Sequence, residues 1–415
     1  MNISYTKVLK NRNFFLLWFS QIISQFGDRL TQMALIGMVY ELKPGSSLGL
    51  AKMFSLGIIP VFLISPVAGV YIDRWNKQKT MYASELLRGV FTLLVPLVFF
   101  TWKNVGLVYC LIFLSFCAGR FFIPAKLALV PSLVDTEHVF TANSLISITA
   151  TIAAVLGFGF GGMIVERWGI KAALYLDAFT FFISFFCIFL MRVKERAHFD
   201  PKDILALGKD ALANVKNSFI SETKEGLRYI FKSQETRYAA KTQFMLFAAI
   251  GSLYTVFIVF IQNTLSTVTF DLGWLAVGSG AGIFAGSLLY GKFGAKLPIK
   301  KVINATLFLS GLYLIAFVSL LKAHPFKLFA FFSCFFLGII ISPIIIAVNT
   351  LIHNESENKF WGRIFSSLEV VIHLAFILAM FIASYLAEWL NPFTIIITVG
   401  IIITVFAFVN MIREK

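Results

Sequence analysis

The chain has 415 residues, of which 58% are apolar and only 14% are Asp, Glu, Lys or Arg, where a soluble domain carries about 25% charged residues. That balance excludes an ordinary soluble enzyme, a coiled coil and a disordered chain, and four Cys exclude a disulfide scaffold. The net charge of +15 sits in short segments between apolar runs, with no basic stripe interleaved with aromatics, which points to a membrane protein's positive-inside bias and away from nucleic acid.

A helix needs about 20 apolar residues to cross the hydrocarbon core. The apolar residues here supply roughly that for twelve spans. The runs are continuous and too long for barrel strands, so helices are predicted. In chain order they fall at 14–40, 48–72, 79–101, 105–131, 140–164 and 170–191. After a polar stretch, six more follow at 241–263, 271–292, 300–321, 327–350, 362–387 and 391–412. The expected architecture is an all-α membrane protein with 12 transmembrane helices in two six-helix halves, 1–191 and 241–415, joined by a cytoplasmic linker, 192–240. Within the linker, Ser221–Ser233 sets Leu227, Tyr229, Ile230 and Phe231 among charges. That pattern suits an amphipathic helix on the inner membrane surface, or one packed on the cytoplasmic end of the bundle.

Lys and Arg crowd alternate connections: Lys7, Lys10 and Arg12; Arg74, Lys77 and Lys79; the linker; Lys292, Lys296, Lys300 and Lys301; and Lys359, Arg363, Arg413 and Lys415. Only Lys43, Lys103, Arg167, Lys171, Lys322 and Lys327 fall on the other side. The asymmetry predicts two cytoplasmic termini and a multi-pass protein of the cell (inner) membrane. The first apolar run is too long for a signal peptide and carries charges in its middle, so no cleavage is expected.

Several patterns carry no chemistry. Gly157-x-Gly159-x-x-Gly162 matches a dinucleotide loop, but it lies inside an apolar helix with no strand before it. Gly157 and Gly161, four apart, read better as a close helix-packing face. Cys110, Cys117, Cys187 and Cys334 lack metal-ligand spacing, the five His form no cluster, and no nucleophile–base arrangement is visible. Pro60, Pro66 and Pro343 are expected kinks. No metal or cofactor is expected, and the chain is not expected to be an enzyme.

Ionisable residues at membrane depth are costly unless they face a cavity or a partner. Asp28 lies about fourteen residues into its helix, roughly 21 Å along it. Arg29 follows, pointing about 100° away. Arg120 is near the middle of the fourth span, Glu369 and His373 share a face of the eleventh, and Asp177 lies in the sixth. Asp28 and Arg120 could form a structural ion pair, or Asp28 could accept a proton while Arg120 meets a substrate anion.

Local motifs add a family resemblance. The run from Gly69 through Asp73, Arg74 and Lys77 to Lys79 resembles the signature between the second and third helices of the major facilitator superfamily, G-x-x-x-D-R-x-G-R-[KR]. Asn76 replaces its second Gly. In that reading Gly69 admits a neighbouring helix, Asp73 faces a helix N-terminus, and Arg74, Lys77 and Lys79 pair with acids and lipid phosphates, forming a cytoplasmic gate. Phe26-Gly27-Asp28, Pro124 to Pro131, Ala142-Asn143-Ser144-Leu145, Gly157 to Gly162, Leu176 to Phe179, Glu225 to Tyr229 and Gly362 to Phe365 resemble the twelve-helix efflux branch, which includes macrolide and siderophore exporters. The chain departs from the branch at Gly157-Phe158, where Gly-Pro is usual, and at Ala295, where the second half would place an acid.

The resemblance implies rocking of two halves about a midplane site, with helices one, four, seven and ten lining the cavity. It implies a small-molecule substrate, protons or another coupling ion, a lipid bilayer around the chain, and a monomer. Asp28, Arg120, Glu369 and His373 are then the candidate coupling and cavity residues. The expected activity is proton-coupled export of small amphipathic molecules. Gly27-Asp28 with Pro124-Ala125-Lys126 is also similar to lysophospholipid transporters, where Arg120 or Lys126 would hold a phosphate. Gly27-Asp28-Arg29 and Val39-Tyr40-Glu41-Leu42 are similar to ferroportin, which would put a metal at Asp28 and His373.

Overall fold

The computed structural model describes residues 5–72, 75–193, 228–230, 233–294, 297–355 and 361–413. Among them every regular element is helical. In a bilayer the backbone must satisfy its own hydrogen bonds, and a continuous apolar run does so as a helix.

The chain divides into two compact units, Met1–Met38 with Met53–Ser218, and Val39–Lys52 with Phe219–Lys415. Within the second unit, Glu388 accepts hydrogen bonds from Lys43 Nζ at 2.6 Å and Ser46 Oγ at 2.8 Å. Burial pushes the Glu388 carboxyl up, but these two partners outweigh it and hold it below the usual value.

The first unit holds α1 (Tyr5–Lys10), α2 (Arg12–Leu42, whose end passes to the second unit), α3 (Ser47–Leu63, shared likewise), α4 (Ser65–Ile72), α5 (Lys77–Leu97), α6 (Val105–Leu133) and α7 (Val139–Phe189). The span expected at 48–72 is broken into α3 and α4 near Ile64. Pro66, which has no N–H to donate, lies just beyond the break. Asn76 and Asn104 cap α5 and α6 by accepting from the backbone N–H of Lys79 and Leu107. Between them α5 runs into a π turn, Val98–Trp102, and Lys103 reverses the chain at φ 52°. The 51-residue α7 is two arms, because Gly169 has φ 86° and ψ 167°, a conformation open essentially only to glycine. The expected helices at 140–164 and 170–191 are these arms.

The first arm of α7 lies against α2. A Cβ on Gly157 would stand 2.9 Å from Arg29 Cβ and from the Phe26 carbonyl oxygen. One on Gly161 would stand 3.2 Å from Met33 Cγ and 3.3 Å from the Arg29 carbonyl oxygen. Small residues four apart thus let two backbones close together where lipid supplies no hydrophobic drive. At Gly69 a Cβ would meet no heavy atom of the described residues within 4 Å.

The second unit holds α8 (Gln234–Leu265), α9 (Phe270–Phe293), α10 (Ile299–Ala323), α11 (Lys327–Glu355), α12 (Trp361–Leu386) and α13 (Pro392–Arg413). Here α9 packs on α11 through Gly278, Gly282 and Gly286, whose missing side chains make room for the backbone of Phe331, Phe335 and Ile339. Polar pairs join the other helices, among them Thr255 with Ser384 at 2.6 Å and Gln243 with Asn349 at 3.1 Å.

Among the described residues nine helices are long and apolar enough to cross a membrane. The two arms of α7 count there as one stretch, α3 and α4 are each too short, and α2 carries Asp28 and Arg29 in its middle. These account for the difference from the expected twelve.

The glycine faces generate a contrast. Gly157→Val should lower thermal stability in detergent, since overpacking a tight contact costs about 1–3 kcal/mol. Gly69→Ala should leave the melting temperature unchanged or raise it slightly. Equal losses at both positions would mean that Gly69 has a close neighbour after all.

Candidate functional site

Gln21, Ser24, Gln25, Asp28, Arg29 and Gln32 are spaced three and four apart along α2 and make one polar stripe on a membrane-length helix. This stripe, Glu85 and Arg88 of α5, and Arg120 and Lys126 of α6 line a cavity of about 370 Å3. Phe116, Phe122 and Ile123 supply an apolar wall. The size falls within the range of small-molecule sites, roughly 300–1,000 Å3.

Arg88 is the centre of the site. Its Nη2 is ion-paired with Asp28 Oδ1, and its Nη1 lies 3.2 Å from Glu85 Oε1. The guanidinium carbon lies 4.1 Å from the centroid of the Phe181 ring, on the second arm of α7. Arg88 is 8% exposed and Glu85 not at all. Gly119 makes the space, since a Cβ there would approach Arg88 Nε to 3.3 Å. Ser24 and Ser184 lie beside Glu85. A guanidinium with two carboxylates and an aromatic face is well compensated, which allows it to stay buried.

Asp177, also fully buried, accepts hydrogen bonds from Thr31 of α2 and from Thr180 Oγ1, the latter at 3.1 Å. Gly27 allows this, because a side chain there would collide with Thr180 and Asp177. A smaller cavity of about 20 Å3, lined by Asp28, Thr31, Arg88 and Asp177 among others, is the size of a single water.

The other cations have neutral partners. Arg120 Nη2 donates to the Gly57 carbonyl at 3.3 Å, Lys126 Nζ to Gln21 Oε1 at 3.0 Å, and Arg29 Nη1 to Gln32 Oε1 at 2.9 Å. Asp28 and Arg120 therefore share a cavity without forming the ion pair that their sequence positions suggested. Arg88, one helix away, takes that place. Glu369 and His373 lie on α12 in the second unit, where His373 Nδ1 donates to the Glu369 carbonyl at 2.7 Å. Of the gate motif, Asp73 and Arg74 lie outside the described residues, and Lys77 and Lys79 open α5 beneath the Asn76 cap. Most of the expected amphipathic helix at 221–233 also lies outside them. Among the described residues no three His, Cys, Asp or Glu side chains gather to hold a metal.

A bundle of membrane-length helices around a charged cavity is the architecture of a membrane transporter, and the relatives of this chain are transporters. The chain belongs to the transmembrane secretion effector family, whose model matches residues 4–339. It is 27% identical over 365 residues to the MFS-type transporter YkuC of Bacillus subtilis, covering 86% of this chain and 81% of YkuC. It is 24% identical over 372 residues to macrolide efflux protein A of Streptococcus pyogenes, covering 87% and 86%. A crystal structure of a bacterial homologue of the iron transporter ferroportin superposes with a TM-score of 0.71 at 15% identity, over 97% of this chain and 98% of that one. The fold is thus that of the major facilitator superfamily, and the chain is a multi-pass membrane transporter, not an enzyme.

The ion-pair assignment is testable by double-mutant cycles on unfolding in micelles. Arg88→Gln alone should be severe, about 3–5 kcal/mol, because it strands buried carboxylates. Asp28→Asn with Arg88→Gln should show a coupling energy larger by about 1 kcal/mol than Asp28→Asn with Arg120→Gln. Equal couplings would return the pairing to Arg120.

Proposed function

We propose that the protein is a proton-coupled exporter of small amphipathic molecules that works by alternating access. The observation that carries this reading is the ion pair of Asp28 with the buried Arg88 on the wall of the 370 Å3 cavity. A proton reaching Asp28 removes one of the two charges that hold Arg88. The guanidinium then keeps Glu85 as its one carboxylate partner, and its ion pair to α2 is lost. A proton can thereby change how helices of one unit pack, which is what coupling requires. The polar niche shared by Asp28 and Asp177 offers a second carboxylate beside the first.

The export direction rests on the relationship to macrolide efflux protein A. Placement in the cell membrane with both termini cytoplasmic rests on the Lys and Arg asymmetry. The division into an N-terminal half, a linker and a C-terminal half belongs to the same reading, as does a monomeric state. Asp73, Arg74, Lys77 and Lys79 would form the cytoplasmic gate. Lys77 and Lys79 stand at the N-terminus of α5, where the helix dipole disfavours cations, so a role toward lipid phosphates or acids outside the helix suits them. Glu369 and His373 would serve the second unit's side of the cycle. Lysophospholipid transport is the second reading, favoured by the excess of cations in the cavity.

The test is Asp28→Asn in proteoliposomes with an imposed proton gradient and a panel of amphipathic cargo that includes an anionic and a cationic dye. Gradient-driven movement should fall to the level of protein-free vesicles while the folded protein and its gradient-free binding persist. Full gradient-driven transport by the Asn variant would remove Asp28 from coupling.

A further inference from the structure

We propose that Arg120 and Lys126 form a binding site for an anionic group, a carboxylate or a phosphate, borne by the transported molecule. This rests on the cavity of the first unit being the transport cavity, and not on Asp28 as the proton acceptor.

The charges carry the argument. The cavity is lined by four cations, Arg29, Arg88, Arg120 and Lys126, and by two carboxylates, Asp28 and Glu85. Both carboxylates are engaged by Arg88. Among the described residues no carboxylate lies within 4.0 Å of the other three cations. Their recorded hydrogen-bond acceptors are a backbone carbonyl and two amide oxygens. Nε of Arg120 and Nε of Arg29 are buried without a hydrogen-bond acceptor. A cation at membrane depth needs an anion or water to be tolerable, and among the described residues no carboxylate forms a salt bridge with these three.

The chemistry of the two α6 side chains is complementary. A guanidinium offers a planar fork that fits two oxygens of one carboxylate or phosphate, and an ammonium adds a compact charge. Phe116, Phe122 and Ile123 on the same wall suit an apolar body attached to that head. The ligand class is therefore an amphipathic organic anion.

The experiment measures binding without a gradient, by fluorescence, to protein in phosphatidylcholine nanodiscs. The probes are dansyl-undecanoate and a dansyl alkyl-trimethylammonium of equal chain length. Wild type should bind the carboxylate at least about tenfold more tightly than the ammonium, a difference of about 1.4 kcal/mol. Arg120→Gln should lose about tenfold for the anion and less than about twofold for the cation. Lys126→Gln should lose in the same direction, and Arg120→Lys should recover part of the loss. Equal losses for both probes, or no preference in wild type, overturn the proposal.

Should Arg120→Gln fail to fold, wild type still decides: the anionic probe must raise the melting temperature and the cationic one must not. Nanodiscs containing phosphatidylglycerol distinguish sources. Displacement of the carboxylate by that lipid assigns the site to a lipid headgroup, and retention assigns it to a free anion. A wild type that prefers the anionic probe yet moves no cargo under an imposed proton gradient keeps this proposal and overturns the coupling, so the two failures are separate outcomes.

Discussion

A guanidinium buried at membrane depth has to be surrounded before anything else in the first unit can be arranged. Arg88 is held by Asp28 from α2, by Glu85 from its own helix and by the face of Phe181 from the second arm of α7. Three helices are thereby fixed around one charge. Removing one carboxylate leaves Arg88 with the other and with the Phe181 face, in a medium that solvates the cation poorly. The neighbouring small residues follow from the same requirement. Gly119 clears the guanidinium, and Gly27 brings α2 close enough to α7 for Thr31 to reach Asp177.

The cavity beside this cluster inherits a charge imbalance. Because Arg88 absorbs both nearby carboxylates, Arg29, Arg120 and Lys126 face the cavity with neutral partners. Hydrogen bonds to amide oxygens satisfy geometry but not charge. The imbalance is affordable in a site that water enters and a ligand occupies, and it would be costly in a sealed helix bundle. The close packing of α2 on the first arm of α7 through Gly157 and Gly161 gives this side of the cavity a rigid wall, to which the polar stripe of α2 is attached.

Much of the fold was legible because its determinants are one-dimensional. Run length gave the helices, although α8 begins at Gln234, inside the stretch expected to be linker. Pro66 was read as a kink, and the chain there breaks into separate helices. Asp28 and Arg120 were legible as cavity residues because charges inside apolar runs stand out. Glu85 and Arg88 stand out by the same criterion, three apart on one face. They come from a helix that the family's cavity-lining rule leaves out, and Asp28 therefore looked toward Arg120. Pairing across helices depends on their rotation and spacing, which hydropathy does not encode. The bond of Lys43 to Glu388, more than three hundred residues away in the chain, lies beyond any local pattern.

The coupling sign is the remaining consequence of the cavity's charge. Protonating Asp28 makes the cavity one unit more positive, so local electrostatics alone would load a proton and an anion together. In the proposed exchange the proton would act through the helices, by breaking the Asp28–Arg88 pair that joins α2 to α5. The energetics favour such an exchange. A proton entering and a monoanion leaving both carry charge down an inside-negative potential, each gaining about 2.3 kcal/mol per 100 mV. An amphipathic cation would gain from the proton and lose by its own exit. Under the proposed proton-coupled export, a cavity rich in cations is better matched to an anionic cargo, for which the membrane potential would contribute twice.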